Sequence, residues 1–148
     1  MRKAWIMVAA LLAAGPVAAA DVGLVKVSKG NVQIQRGDAK LPAAVGAGLQ
    51  ISDVIVTGAD GSAGLTFTDN SLVSVGPNSV FAIDKYSFDT TTHVGEFEGN
   101  LKQGRLAAIS GKMVKQSPES MKIRTPSAIM GVRGTEFVVQ VDPAPAAK

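Results

Sequence analysis

Between residues 21 and 142, apolar side chains recur at every second position in short bursts, and turn formers cut each burst off after about ten residues. Alternation of this kind puts one face of a strand in a core and the other in water. A helix instead needs apolar residues at i, i+3 and i+4. The reading is therefore all-β: a single compact antiparallel β-sandwich or β-roll of short strands, with at most one short helical turn.

The bursts can be followed along the chain. Val25 and Val27 alternate with polar neighbours, Lys29-Gly30-Asn31 turns, and Val32 and Ile34 answer them, which predicts a hairpin. Arg36-Gly37-Asp38 is a further turn, and its adhesion-like RGD spelling is read as turn chemistry. Leu49 and Ile51 share a phase that Val54 and Val56 do not, so a bulge or bend is expected at Ser52-Asp53. Leu65 and Phe67, Val73 and Val75, and Phe81 and Ile83 are strands separated by Asp69-Asn70 and Gly76-Pro77-Asn78, before Tyr86 and Phe88 switch phase. Thr90-Thr91-Thr92 reads as an exposed connection, His93 to Glu98 as a strand and Gly99-Asn100 as a turn. A strand near 105–109 and one helical turn after it are expected, since Gly104 and Gly111 weaken a longer helix. Ser117-Pro118-Glu119 resembles a capped turn with proline at a first helical position. Met121 and Ile123, then Phe137, Val139 and Val141, complete the pattern.

The ends read differently. Arg2 and Lys3 precede a short apolar run from Ala4 to Ala14, Gly15-Pro16 breaks it, and Ala18-Ala19-Ala20 offers small residues for cleavage. Residues 1–20 are thus expected to be a signal peptide, since the run is shorter than the ~20 residues that span a bilayer. Residues 21–142 form the domain and 143–148, with two prolines and three alanines, a flexible tail. A periplasmic location follows, with no stable membrane insertion after cleavage. Without Arg2 and Lys3 the balance is 13 basic against 12 acidic residues, a net charge of +1. No Lys/Arg cluster remains to neutralise a phosphate backbone, so nucleic acid is not an expected partner. The chain has no cysteine, which removes both disulfides and a lipidated thiol, and burial must hold the domain together.

Three blocks carry a resemblance to a known family. They are Val45-Gly46 through Ile51-Ser52-Asp53-Val54-Ile55-Val56-Thr57-Gly58-Ala59-Asp60-Gly61; Leu65-Thr66-Phe67-Thr68-Asp69-Asn70-Ser71 through Gly76-Pro77-Asn78-Ser79; and Arg124-Thr125-Pro126-Ser127-Ala128-Ile129-Met130-Gly131-Val132-Arg133-Gly134-Thr135-Glu136-Phe137. Together they make the stretch from Val45 to Val141 resemble the FecR domain, the periplasmic half of a ferric-citrate signalling regulator. The one departure is Asp69-Asn70 where the family has Asp-Gly, and Asn is the next-best residue at positive φ. The resemblance implies an extracytoplasmic all-β module used for protein or ligand contact. Full-length signalling members add a sigma-regulating segment, a membrane helix and a receptor-contact subdomain. None of these is recognised in this sequence, so sigma control by this chain alone is not expected.

Within the third block, Arg133 and Glu136 are the candidate partner-binding residues. The competing reading makes Arg133 structural, bonded to backbone carbonyls or to Asp53 or Asp69. His93 is the only histidine and lacks the convergent partners that catalysis or a metal requires. Asp53, Asp60 and Asp69 fit neither an EF-hand nor a nonapeptide calcium loop. With no P-loop and no G-x-S-x-G, the chain is not expected to be an enzyme, nor to need a cofactor or metal. The leading function is a binding or scaffold module that contacts another cell-envelope protein through strand edges and loops. The alternative is an envelope small-molecule or glycan-binding domain, which the scarcity of aromatic platforms disfavours.

Overall fold

A computed structural model describes residues 20–131 and 136–142. Twelve strands form one continuous sheet that folds over on itself: β1 (Gly23–Lys29), β2 (Val32–Arg36), β3 (Ala39–Pro42), β4 (Gly48–Leu49), β5 (Val54–Thr57), β6 (Ser62–Phe67), β7 (Leu72–Val75), β8 (Val80–Phe88), β9 (Gly95–Ile109), β10 (Met121–Arg124), β11 (Ile129–Gly131) and β12 (Glu136–Val141). A single helical turn and a half, α1 (Lys112–Gln116), interrupts them after β9. The all-β expectation, down to one short helix following a strand at 105–109, is met.

The main path through the sheet runs β3-β2-β5-β8-β9-β7-β6-β1-β4. Its centre is β9, a 15-residue strand and so not one of the short strands anticipated. The first part of β9 pairs with β8 on one side and β10 on the other; its last residues pair with β7 and β12. Between the two parts stands Gly104, at φ +98°. A Cβ there would fall 2.0 Å from Ser79 Oγ and 2.5 Å from Ser79 Cα, so the bend is available only to glycine. The groups around it are satisfied locally. Ser79 Oγ accepts from the Arg105 N–H at 3.0 Å, the Ser79 N–H donates to Thr57 Oγ1 at 2.9 Å, and Thr57 Oγ1 donates to the Gly76 carbonyl at 2.6 Å.

Several sequence expectations are corrected. Val27 is exposed, because a bulge between Val25 and Val27 reverses the phase of β1. Lys29-Gly30-Asn31 does not close a hairpin: β1 pairs with β4 and β6, while β2 pairs with β3 and β5, so this bend carries the chain from one half of the sheet to the other. The true hairpin is β2–β3, turned by Gly37 and Asp38 at the RGD triplet. Leu49 is buried but Ile51 is exposed, so the two do not share a face; the bend expected at Ser52-Asp53 is present, as a tight turn with Ser52 at φ +75°. Gly99-Asn100 is no turn. It lies inside β9, where a Cβ on Gly99 would press to 2.5 Å from the Phe81 ring. His93 sits in the turn before β9, at φ +61°, stacked on Phe88. Ser117 ends α1 instead of beginning a helix, and Pro118 follows it in a turn. The single parallel pairing, β10 with β9, is permitted by the crossover through α1.

The inward faces of both halves meet in a core of aliphatic residues around three aromatic rings. Phe97 packs edge-on against Phe67 at 4.7 Å and Tyr86 at 5.6 Å between centroids. The Tyr86 hydroxyl bonds Thr68 Oγ1 at 2.8 Å and accepts from the Asp69 N–H at 3.1 Å. Burial is the main reason that its pKa is pushed up to about 12, against 10.0 for the free side chain. The folded state therefore holds this proton more tightly than the unfolded chain. The associated stability is intact below pH 10 and drains away as pH rises towards 12. Over that window the unfolding free energy should fall by roughly 1.4 kcal/mol per pH unit more in the parent than in Tyr86→Phe, measured by urea titration of both. Equal slopes would contradict it.

Candidate partner-binding face

The half of the sheet that contains β12 has one face in the core and one in water. Val73, Val75, Leu106, Ala108 and Val139 point inward and are buried. Their alternates point out, and the registers align them in rows across β7, β9 and β12. Leu72, Ile109 and Glu136 make one row; Ser74, Ala107 and Val138 make the next; Arg105 and Gln140 lie beyond them. Leu72, Ile109 and Val138 are 38%, 41% and 52% exposed, which is much apolar surface for so short a stretch of sheet. Glu136 is exposed at the rim of this patch. Towards β1 the same face sinks into a shallow trough of about 410 Å³, floored by Gly64, Ser74 and Ala107 and bordered by Val27, Lys29 and Arg105.

Glu136 is thus placed where a partner can reach it, on an exposed and partly apolar face. Arg133 lies outside the described residues. The two carboxylates considered as its structural partners are both engaged elsewhere. Asp53, fully buried, accepts from Arg36 Nε at 2.9 Å and Nη2 at 2.7 Å, and from the Gln50 N–H at 2.9 Å. The side-chain hydrogen bonding to Asp53 is the chief reason the Arg36 guanidinium is held above its ordinary pKa. Asp69, also buried, accepts from the Ser71 N–H at 3.0 Å and the Ser71 hydroxyl at 2.7 Å. Asp60 Oδ1 accepts from the Asn31 N–H at 3.3 Å. All three aspartates serve turns or ion pairs, and no group of His, Cys, Asp or Glu among the described residues is arranged to hold a metal.

The segment before Arg133 forms a hairpin of β10 and β11. Thr125 closes it: its N–H donates to the Ala128 carbonyl at 2.8 Å and its Oγ1 accepts from the Ala128 N–H at 3.1 Å. At its base Arg124 pairs with Glu98, a buried carboxylate on β9 that Lys85 also approaches at 3.6 Å. Periodicity could not have found this trio, because the three residues come from three strands that only the sheet brings together. Ile129 at the hairpin is 62% exposed.

Among the described residues, four of the six aromatic side chains (Phe67, Phe81, Tyr86 and Phe97) are buried, and Phe88 and Phe137 are half-buried. None stands out as a flat exposed platform for a sugar ring. No described helix is long and apolar enough to cross a membrane.

A family model described as FecR protein matches residues 53–147. No curated protein matches the chain, and no solved structure does.

Proposed function

The chain belongs to the FecR family, an envelope-associated regulatory and signalling class, and on that premise we propose that it is a periplasmic binding or scaffold module that contacts another cell-envelope protein. It works without a cofactor and performs no chemistry of its own. The observation that carries this reading is the outer face of β7, β9 and β12, where Leu72, Ile109 and Val138 are exposed beside Glu136. Interfaces of this type centre on an apolar patch with a polar rim. The charged-then-apolar opening of the sequence favours export.

The test is retention of an envelope protein on the immobilised chain, compared with Leu72→Glu/Ile109→Glu. Both positions are solvent-facing, so the double variant should keep its circular dichroism. Retention should drop by tenfold or more, which corresponds to about 1.4 kcal/mol, a modest hot-spot loss. Equal retention by the folded variant would sink the reading. A strong hit on a glycan array would favour the small-molecule alternative instead, although the buried aromatic rings speak against it.

A further inference from the structure

Four strands of the sheet pair on one side only among the described residues: β3, β4, β11 and β12. An open edge is a template for another strand, and folded proteins guard such edges by brevity, proline or lysine. Three of the four are guarded in this way. β4 has two residues and β11 three, and β3 carries Lys40 and ends at Pro42. β12, Glu-Phe-Val-Val-Gln-Val, has six residues and neither lysine nor proline.

We propose that β12 pairs antiparallel with β12 of a second copy about a two-fold axis, which joins two sheets into one. Side-chain alternation limits the register. Outward residues of one copy must face outward residues of the other, so an even-numbered residue meets an even-numbered one. Two central registers satisfy this. With Val138 opposite itself, Glu136 faces Gln140 of the second copy. With Val139 opposite itself, Glu136 faces Asp142 of the second copy, and like charges oppose each other twice. The first is favoured: it sets valine on valine at the axis and flanks it with two Glu–Gln pairs. It also runs the exposed apolar surface of Val138 and Ile109 unbroken from one copy to the next. The inference shares Val138, Ile109 and Glu136 with the partner-contact reading but rests on a different feature, the unguarded edge of β12, so loss of dimer and loss of partner retention are read separately.

Because the chain contains no cysteine, a single introduced thiol reports the register. Val138 is exposed, so Val138→Cys should fold as the parent does. Under mild oxidation it should form a disulfide-linked dimer, since directly opposite residues lie about 4.5–5.5 Å apart, inside disulfide range. Gln140→Cys should not link to itself, its two copies being four residues, about 13 Å, out of register. A mixture of Glu136→Cys and Gln140→Cys chains should cross-link. In sedimentation the parent should show a concentration-dependent dimer, tightened roughly fivefold by Gln140→Lys, which gives Glu136 an opposite charge, and loosened by Gln140→Glu. A monomer at every concentration overturns the proposal. So does cross-linking of Val138→Cys no faster than that of Ile129→Cys, or preferential self-linking of Gln140→Cys. Protection of β12 from hydrogen exchange only when a different protein is added would assign the edge to a foreign strand and equally overturn it.

Discussion

Gly104→Ala is expected to lower the unfolding free energy by about 4 kcal/mol, combining the cost of a side chain at positive φ with that of overpacking. The methyl would have to displace Ser79, whose Cα lies 2.5 Å from the place it would occupy. Backbone cannot yield as the end of a flexible side chain can. A shift of Ser79 would also disturb its hydrogen bonds to Arg105 and Thr57, both inside the fold of the sheet. Gly37→Ala is the matched control. Gly37 too has positive φ, +60°, but nothing lies within 4 Å of its missing Cβ. It should lose only about 1 kcal/mol, for backbone conformation alone. Urea denaturation of the two variants separates strain from collision, and similar losses at both sites would show that the Ser79 contact is not what makes Gly104 special.

Asp53→Ala comes next, with an expected loss of about 3 kcal/mol, in the range for breaking one side of a buried ion pair. The carboxylate accepts three hydrogen bonds, two from Arg36 and one from the Gln50 backbone, and all three are lost with it, while Arg36 Nη2 keeps its bond to the Gly48 carbonyl at 3.1 Å. The arginine is less confined than its partner. Its side chain is 35% exposed against 0% for Asp53, so water can reclaim part of the guanidinium and soften the loss. The effect should accordingly be asymmetric. Arg36→Ala leaves a charged carboxylate in the interior with one donor, and should be at least as damaging as Asp53→Ala. The double variant should lose clearly less than the two single losses added together, because the pair is then absent from both sides. Strict additivity would mean that the two groups do not act as a pair.

What the sequence disclosed and what it hid divide along a physical line. Local phase was legible. The switch between Ile83 and Tyr86 is a bulge in β8, the Asp69-Asn70 turn does hold its asparagine at positive φ, +68°, and Met121 and Ile123 both face the core. These are statements about neighbours along the chain, where alternation and turn chemistry act directly. Less legible were a glycine with two meanings and a bulge hidden inside a regular spacing. Gly99 next to Asn100 spells a turn, yet it sits within a strand to make room for the Phe81 ring. Val27 keeps the spacing of a core residue, and only the bulge before it turns it outward. Pairings across the sheet were out of reach altogether. Arg36 with Asp53, or Glu98 with Arg124, depends on which strands become neighbours, and period two carries no information on that. The candidate face was half visible. Glu136 was singled out from its place in a family-like block, but the apolar surface beside it needed Leu72 and Ile109 to arrive from strands more than 25 residues upstream in the sequence.

A strand shared along its length by four others leaves neither lobe of this molecule with an autonomous existence. Opening the β8 side of β9 strips the neighbouring lobe of its central rail, so melting should proceed in one step, with amides of Leu101 and Leu106 exchanging at a common, slowest rate.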